Sequence, residues 1–148
     1  FLLRIHMGYP SREEEIAIMA RFQKDEPLQE LDAVAAPWEI VAMQKARKQI
    51  RVADAIRNYI ADIVRATRQE PTILFGASPR GALGLQRAGQ AYAALQGRDY
   101  VLPDDVKQMA PHVLTHRLII SPQAQLRGRQ PSELVADIVD SVPVPVES

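Results

Sequence analysis

Cysteine is absent from the 148 residues, which excludes a disulfide framework and thiolate chemistry and leans toward a reducing compartment. Net charge is absent as well. Eighteen basic and eighteen acidic side chains cancel, so no overall field draws the chain toward nucleic acid or anionic lipid. Aromatic residues are scarce, at three Phe, four Tyr and one Trp, while Ala and Leu abound, a balance that favours helix over sheet. The longest apolar run is a few residues, far short of the ~20 that a membrane helix needs. No internal repeat or low-complexity block occurs. Phe1-Leu-Leu-Arg-Ile-His-Met7 has neither a basic n-region nor a cleavage site, and reads as the continuation of a longer, cytoplasmic polypeptide.

What is present suffices for one core: 47% of residues are hydrophobic, and the length is that of a single domain. Leu2 to Met7 reads as a short strand ended by Gly8-Tyr9-Pro10. Ser11 with Glu14 three residues on forms a capping box, and Ile16, Met19 and Ala20 give the helix that follows an apolar face. Lys24-Asp25-Glu26-Pro27 breaks it, and 25–36 reads as loop. Pro37 starts a second helix, with Trp38, Val41 and Ala42 as its buried stripe. Val52, Ile56, Tyr59, Ile60, Ile63 and Val64 give the cleanest helical period in the chain, with Asp54/Arg57 and Asp62/Arg65 on the opposite face at spacings worth ~0.2–0.5 kcal/mol a pair. Thr72 to Phe75 is an apolar connector. A helix from Pro79 to about Gln96 carries Gly81, Gly84 and Gly89 among many alanines. Each glycine costs ~1 kcal/mol of helix propensity, which makes sense if another backbone approaches closely. Gly97 suits its C′ position.

Pro103-Asp104-Asp105 opens another helix with Val106, Met109, Ala110, Val113 and Leu114 inward. Leu102 stands where a capping hydroxyl is expected, so this start relies on the two aspartates. Arg117 to Ile120 is extended but too short to build a sheet, and Gln123 to Gln130 is polar loop. A last helix, 131–141, presents Leu134, Val135, Ile138 and Val142, and Pro143-Val-Pro145 stiffens a tail. The fold expected is all-α, a helical bundle with one orphan strand at its N-terminus whose sheet lies upstream.

Gly76-Ala-Ser-Pro-Arg80 concentrates the functional signal. Ser78 can cap, Pro79 fits the first helical position, and Arg80 then stands in a first turn whose free N–H groups already make it partly positive. A cation there is either a solvated side chain on an ordinary capped helix or one half of an anion site. Other constellations are weaker. His112 and His116 lie at i,i+4, but no cysteine or intervening carboxylate completes a metal site. Lys45, Arg47, Lys48 and Arg51, with Arg65 and Arg68 beyond, read either as a phosphate-contacting patch or as solvated helix ends, and no aromatics are interleaved for base stacking. No phosphate-binding glycine loop and no Ser-His-Asp order occurs.

Gly76-Ala-Ser-Pro-Arg-Gly-Ala-Leu83, followed by Gly97-Arg-Asp-Tyr-Val-Leu-Pro-Asp-Asp-Val106 and His116-Arg-Leu118, resembles the MoxR family of AAA+ ATPases over nearly the whole length. Phe1-Leu-Leu-Arg-Ile5, Tyr9-Pro10-Ser11 and Glu14-Glu15 resemble the end of that family's ATPase core and its passage into the helical lid. The resemblance implies that 1–10 is the end of the core and a hinge, 11–142 the lid and 143–148 a tail. It implies that Arg80 is the sensor-2 arginine reaching the γ-phosphate of ATP, that Ser78 and Pro79 fix its helix, and that Tyr9 and Pro10 lie at the hinge beside the adenine. ATP and Mg2+ would serve the parent protein, a chaperone-like remodelling ATPase in a homo-oligomeric, hexameric ring with von Willebrand factor A-domain partners. Walker A, Walker B, sensor-1 and the arginine finger would all precede Phe1, so the fragment alone would be inactive and bind nucleotide weakly. Leu102 departs from the family's small hydroxyl. Two other readings stay open, a nucleotide-independent helical adaptor for a protein partner and a nucleic-acid-binding module using Lys45 to Arg51.

Overall fold

The computed structural model describes residues 1–23, 28 and 31–145. The Lys24 to Pro27 break and residues 146–148 of the tail lie outside the described residues. The chain divides into two compact units, one of residues 5–44 and one of residues 1–4 and 45–148.

In the smaller unit, α1 (Arg12–Phe22) begins at the expected capping box: the Ser11 N–H donates to Glu14 Oε2 at 2.7 Å and the Glu14 N–H to Ser11 Oγ at 3.3 Å. The Ser11 backbone N–H, and after it the Ser11 side chain, hold the Glu14 carboxyl below its usual range. α2 (Pro37–Arg47) starts where proline predicts, and Glu39 Oε2 accepts the Ala36 N–H at 2.6 Å. The buried stripe expected of Trp38, Val41 and Ala42 does not form. Trp38 is 71% exposed, and neither helix buries a residue. Two short helices without a third layer cannot enclose a core.

The larger unit holds the core. In α3 (Asp54–Gln69) the predicted face is fully buried, together with Val52 ahead of it, and Thr67 extends the stripe. Asp54 and Arg57 pair on the outer face. Against this stripe pack Val106, Ala110, Val113 and Leu114 of α5 (Pro103–Leu114) and Leu134, Val135, Ile138 and Val139 of α7 (Pro131–Ser141), while Met109 and Val142 are half-buried. The glycines of α4 (Pro79–Leu95) include two closely approached positions: a Cβ on Gly84 would stand 3.2 Å from Val113 Cγ1, and one on Gly81 3.2 Å from Ala77 Cβ. α4 ends on Gly97 at φ +73°, where the Arg98 N–H reaches Ala93 O and the Gly97 N–H reaches Ala94 O, both at 3.0 Å. That pair of bonds is a Schellman cap.

Leu102 offers no capping oxygen, and Asp105 takes over, as the sequence implied. Its Oδ2 accepts the Leu102 N–H at 2.7 Å, and Arg98 grips both carboxylate oxygens at 2.8 and 2.5 Å. Asp105 is only 2% exposed, and its grip pushes the Arg98 guanidinium pKa further up.

Three further expectations fail. Leu2 to Met7 forms no strand: residues 1–10 carry no sheet pairing, and Arg4 makes a single backbone bond, its N–H donating to His112 O at 2.9 Å. A strand needs a ladder, and among the described residues this segment takes part in none. The two segments read as a connector and an isolated extension instead pair with each other. β1 (Ile73–Phe75) and β2 (Ile119–Ile120) run antiparallel, with Ile73 opposite Ile120 and a register irregularity before Phe75. Finally, the loop expected from Gln123 contains a short helix, α6 (Pro122–Leu126), because Ser121 Oγ caps it by accepting the Ala124 N–H at 3.2 Å and Pro122 fills its first position. The helical bundle itself stands as expected.

Candidate functional site

The start of α4 is fixed from behind. Thr67, fully buried near the end of α3, donates its hydroxyl to Val64 O at 2.6 Å and accepts the Ala77 N–H at 2.9 Å. Arg68 Nε donates to Ala77 O at 2.8 Å. Gly76 lies so close to this helix end that a Cβ would stand 2.7 Å from Thr67 O and 2.8 Å from Arg68 Cα. Only glycine fits there. Ser78 takes the extended N-cap backbone (φ −78°, ψ 170°) and Pro79 the first helical position, but the Ser78 side chain makes no capping bond. The expectation that it caps is corrected by the clamp at Ala77, which already holds the helix entry.

Arg80 projects from the first turn of α4, exposed, with no hydrogen bond or ion pair among the described residues. No acidic residue occupies that turn. Arg80, Gly84 and Arg87 share one face of α4 and line a groove of about 610 Å³ with Arg117, Leu83, Phe1 and Leu2. No carboxylate lines it. Arg117 is tied down, its Nε donating to Val113 O at 2.8 Å and its Nη2 to Phe1 O at 2.6 Å. The result is a groove with one anchored and two unengaged guanidinium groups, chemically suited to an anion.

Tyr9 and Pro10 belong to the smaller unit, where they line a hollow with Met7, Glu14, Ala17 and Ile18, and Tyr9 is 99% exposed. His112 faces solvent with Nδ1 3.3 Å from Arg4 O, whereas both His116 ring nitrogens are enclosed without a partner. No three His, Cys, Asp or Glu side chains converge on a metal position among the described residues. Within the basic cluster Arg47 Nη1 donates to Gln90 Oε1 at 2.9 Å, the exposed Arg51 guanidinium lies 5.9 Å from the centroid of the Tyr100 ring, and Arg68 belongs to the Ala77 clamp, while Lys45 and Lys48 are exposed. Sequence reasoning missed Arg87 and Arg117 as neighbours of Arg80. The i,i+7 spacing from Arg80 could have flagged Arg87, but only tertiary structure brings Arg117 alongside.

Comparison with known proteins supplies the context. The profile described as the AAA lid domain matches residues 65–138, from within α3 into α7. The chain is 41% identical over 147 residues to the uncharacterized protein YeaC of Bacillus subtilis, aligning 99% of itself with 46% of that protein. It is 32% identical over 154 residues to the chaperone MoxR1 of Mycobacterium tuberculosis, aligning 98% of itself with 40% of that protein. A solved structure of a candidate ATPase from Cytophaga hutchinsonii superposes with a TM-score of 0.88 at 26% identity, over 99% of this chain and 47% of the other. The chain thus spans less than half the length of each of these relatives.

Proposed function

The chain belongs to the AAA lid domain family, as the C-terminal lid region of a MoxR-type AAA+ protein, and from that premise we propose that Arg80 is the sensor-2 arginine of an ATP site. The observation that carries this reading is a cation without a partner, held in the first turn of a helix on the wall of a groove free of carboxylates. At rest such an arginine opposes the helix dipole, and a γ-phosphate turns that cost into a charge-assisted pair. An arginine that meets γ-phosphate in ATP and loses it in ADP biases the lid between two positions, because the two nucleotides differ in affinity for those positions.

In this reading residues 1–10 end the ATPase core and form its hinge, 11–142 are the lid and 143–148 a tail. Ser78 and Pro79 set the direction of Arg80, and Tyr9 and Pro10 lie at the hinge beside the base. ATP hydrolysis belongs to the intact polypeptide, since the 148 residues contain no Gly-x-x-x-x-Gly-Lys-[Ser/Thr] loop. Mg2+ would accompany the nucleotide and be held by residues outside this groove, whose charged side chains are all cations. The intact protein would act in the cytoplasm as a homo-oligomeric, hexameric, chaperone-like remodelling ring, engaging von Willebrand factor A-domain partners. The nucleic-acid reading loses ground because Arg47 and Arg51 are already engaged within the fold.

The test is Arg80→Ala in the intact polypeptide. ATP turnover should fall about 10-fold or more, equivalent to ~1.4 kcal/mol of transition-state stabilisation, with the melting curve unchanged because Arg80 is exposed. Undiminished turnover with a normal melting curve would remove Arg80 from the mechanism.

A further inference from the structure

Residues 1–4 pair with no strand, yet the fold holds them at both ends. Arg117 Nη2 donates to Phe1 O at 2.6 Å and to Leu2 O at 3.4 Å. At the other end the Arg4 N–H donates to His112 O at 2.9 Å, and His112 Nδ1 lies 3.3 Å from Arg4 O. Between them the Leu2 side chain reaches α4, its Cδ1 3.5 Å from where a Cβ on Gly84 would stand. Each of these polar contacts is made to backbone of the segment, so its place is set by the residues that grip it.

The grip runs along α4. Arg117 is half-buried, its Nε fixed on Val113 O at 2.8 Å. Its side chain lies against the glycine face of α4: Cδ is 3.6 Å from a Cβ position at Gly81, and Nη2 is 3.7 Å from one at Gly84. A methyl at either position would already be in van der Waals contact with Arg117, and a longer side chain would compete for its space. Gly81 follows Arg80 directly, and Gly84 lies one turn beyond it, about 6 Å along the axis. One side chain thus meets α5, the turn of α4 that carries Arg80, and the carbonyls of residues 1 and 2.

We propose that Arg117 is a positioning residue, a clasp that binds residues 1–4 to the first two turns of α4 and passes a displacement of the Arg80 turn to the chain entering the hinge. This rests on the reading of Arg80 as a phosphate-facing sensor and of residues 1–10 as the end of the core. A guanidinium suits the task, because its planar fork holds Val113 O and the Phe1 and Leu2 carbonyls at fixed separation, which a single ammonium cannot do. Coupling carried by such contiguous contacts needs no touch on the nucleotide. Arg117 spends Nε and Nη2 on three carbonyls, so its loss should slow turnover without loosening ATP.

The test has two arms. In the 148-residue chain, Arg117→Ala should speed exchange of the Arg4 amide about five-fold while amides in the buried turns of α4 change less than about two-fold, a contrast that separates release of the segment from loss of the fold. Arg117→Lys, with charge but no fork, should fall between. In the intact polypeptide, Arg117→Ala should lower kcat about five-fold with the ATP dissociation constant within about two-fold of the parent, and added to Arg80→Ala it should slow turnover by less than a further two-fold or so. An Arg4 amide indifferent to Arg117→Ala would overturn the clasp. So would losses from Arg80→Ala and Arg117→Ala that multiply, or ATP affinity falling in step with kcat. If Arg80→Ala depresses turnover and Arg117→Ala spares it, the clasp has no part in the mechanism and the sensor reading stands. If Arg80→Ala spares turnover while Arg117→Ala frees Arg4 and lowers kcat, the sensor reading falls and the clasp stands.

Discussion

Gly76→Ala tests how the arginine-bearing helix is aimed. The added methyl would sit 2.7 Å from Thr67 O and 2.8 Å from both Cα and Cγ of Arg68. Two of those three atoms are backbone of α3, so only the Arg68 side chain can swing aside, and Arg68 is itself bound to Ala77 O. The helix end and the segment before α4 must move apart. Overpacking of this kind costs about 1–3 kcal/mol, and a backbone obstacle places Gly76 toward the upper part of that range. Parting the segments also stretches the Thr67 Oγ1 bond to the buried Ala77 N–H, which adds an unsatisfied donor. Urea denaturation should show a lower midpoint at unchanged slope, and thermal melting a drop of about 8–12 °C. Gly97 is the internal control. Its φ is +73° with nothing within 4 Å of a Cβ, so Gly97→Asn should be milder than Gly97→Ala, whereas Gly76→Asn should be as harmful as Gly76→Ala. A Gly76→Ala protein melting within about 2 °C of the parent would refute the clamp.

Breaking the Asp105 pair should cost stability in a definite order. Arg98→Ala strands a carboxylate that is 2% exposed, whereas Asp105→Asn keeps an acceptor for the Leu102 N–H and frees only a partly exposed arginine, so the first should cost about 3–5 kcal/mol and the second less, by urea melts. The reverse order would refute the capping role of Asp105. Burial raises the Tyr59 phenol pKa, with the Asp104 and Asp140 charges adding to it, and the hydroxyl has no partner. A raised folded-state pKa means the contribution of the neutral phenol is complete below the unfolded value near ~10 and is lost as pH rises through the folded value. Tyr59→Phe should therefore match or exceed parental stability at neutral pH and lose less on alkalinisation; a loss above about 1 kcal/mol at neutral pH would show that the hydroxyl is bonded after all.

Local pattern made some of this fold legible. The α3 stripe from Ile56 to Val64 was readable because its period is helical and both faces are well populated, one apolar and one charged. The Gly97 cap and the reliance of α5 on Asp105 were readable because caps are written within a few residues. The β1–β2 pair was not, since Ile73 and Ile120 carry no local mark of each other, and a strand this short is defined by its partner. Trp38 misled for the opposite reason: its spacing announces a buried face, but burial needs a surface to meet, and spacing is silent about that. At the candidate site, Arg80 was legible from its helix start. Arg87 and Arg117 were not, because their convergence depends on how α4 packs against α5, and only the glycines hinted at that approach.

The small antiparallel pair has a consequence for how the molecule opens. β1 leaves α3 and β2 follows α5, so their pairing, together with the Ser121 N–H bond to Thr72 O at 2.8 Å, joins the two ends of the chain that forms α4 and α5. The α4–α5 hairpin is thereby a loop closed at its neck, and opening the neck releases the closure entropy of everything between. Amide protons in the buried turns of α4 and α5 should then exchange as one block, at the rate set by loss of that neck rather than by fraying of either helix. Five residues of strand would govern the longevity of two helices.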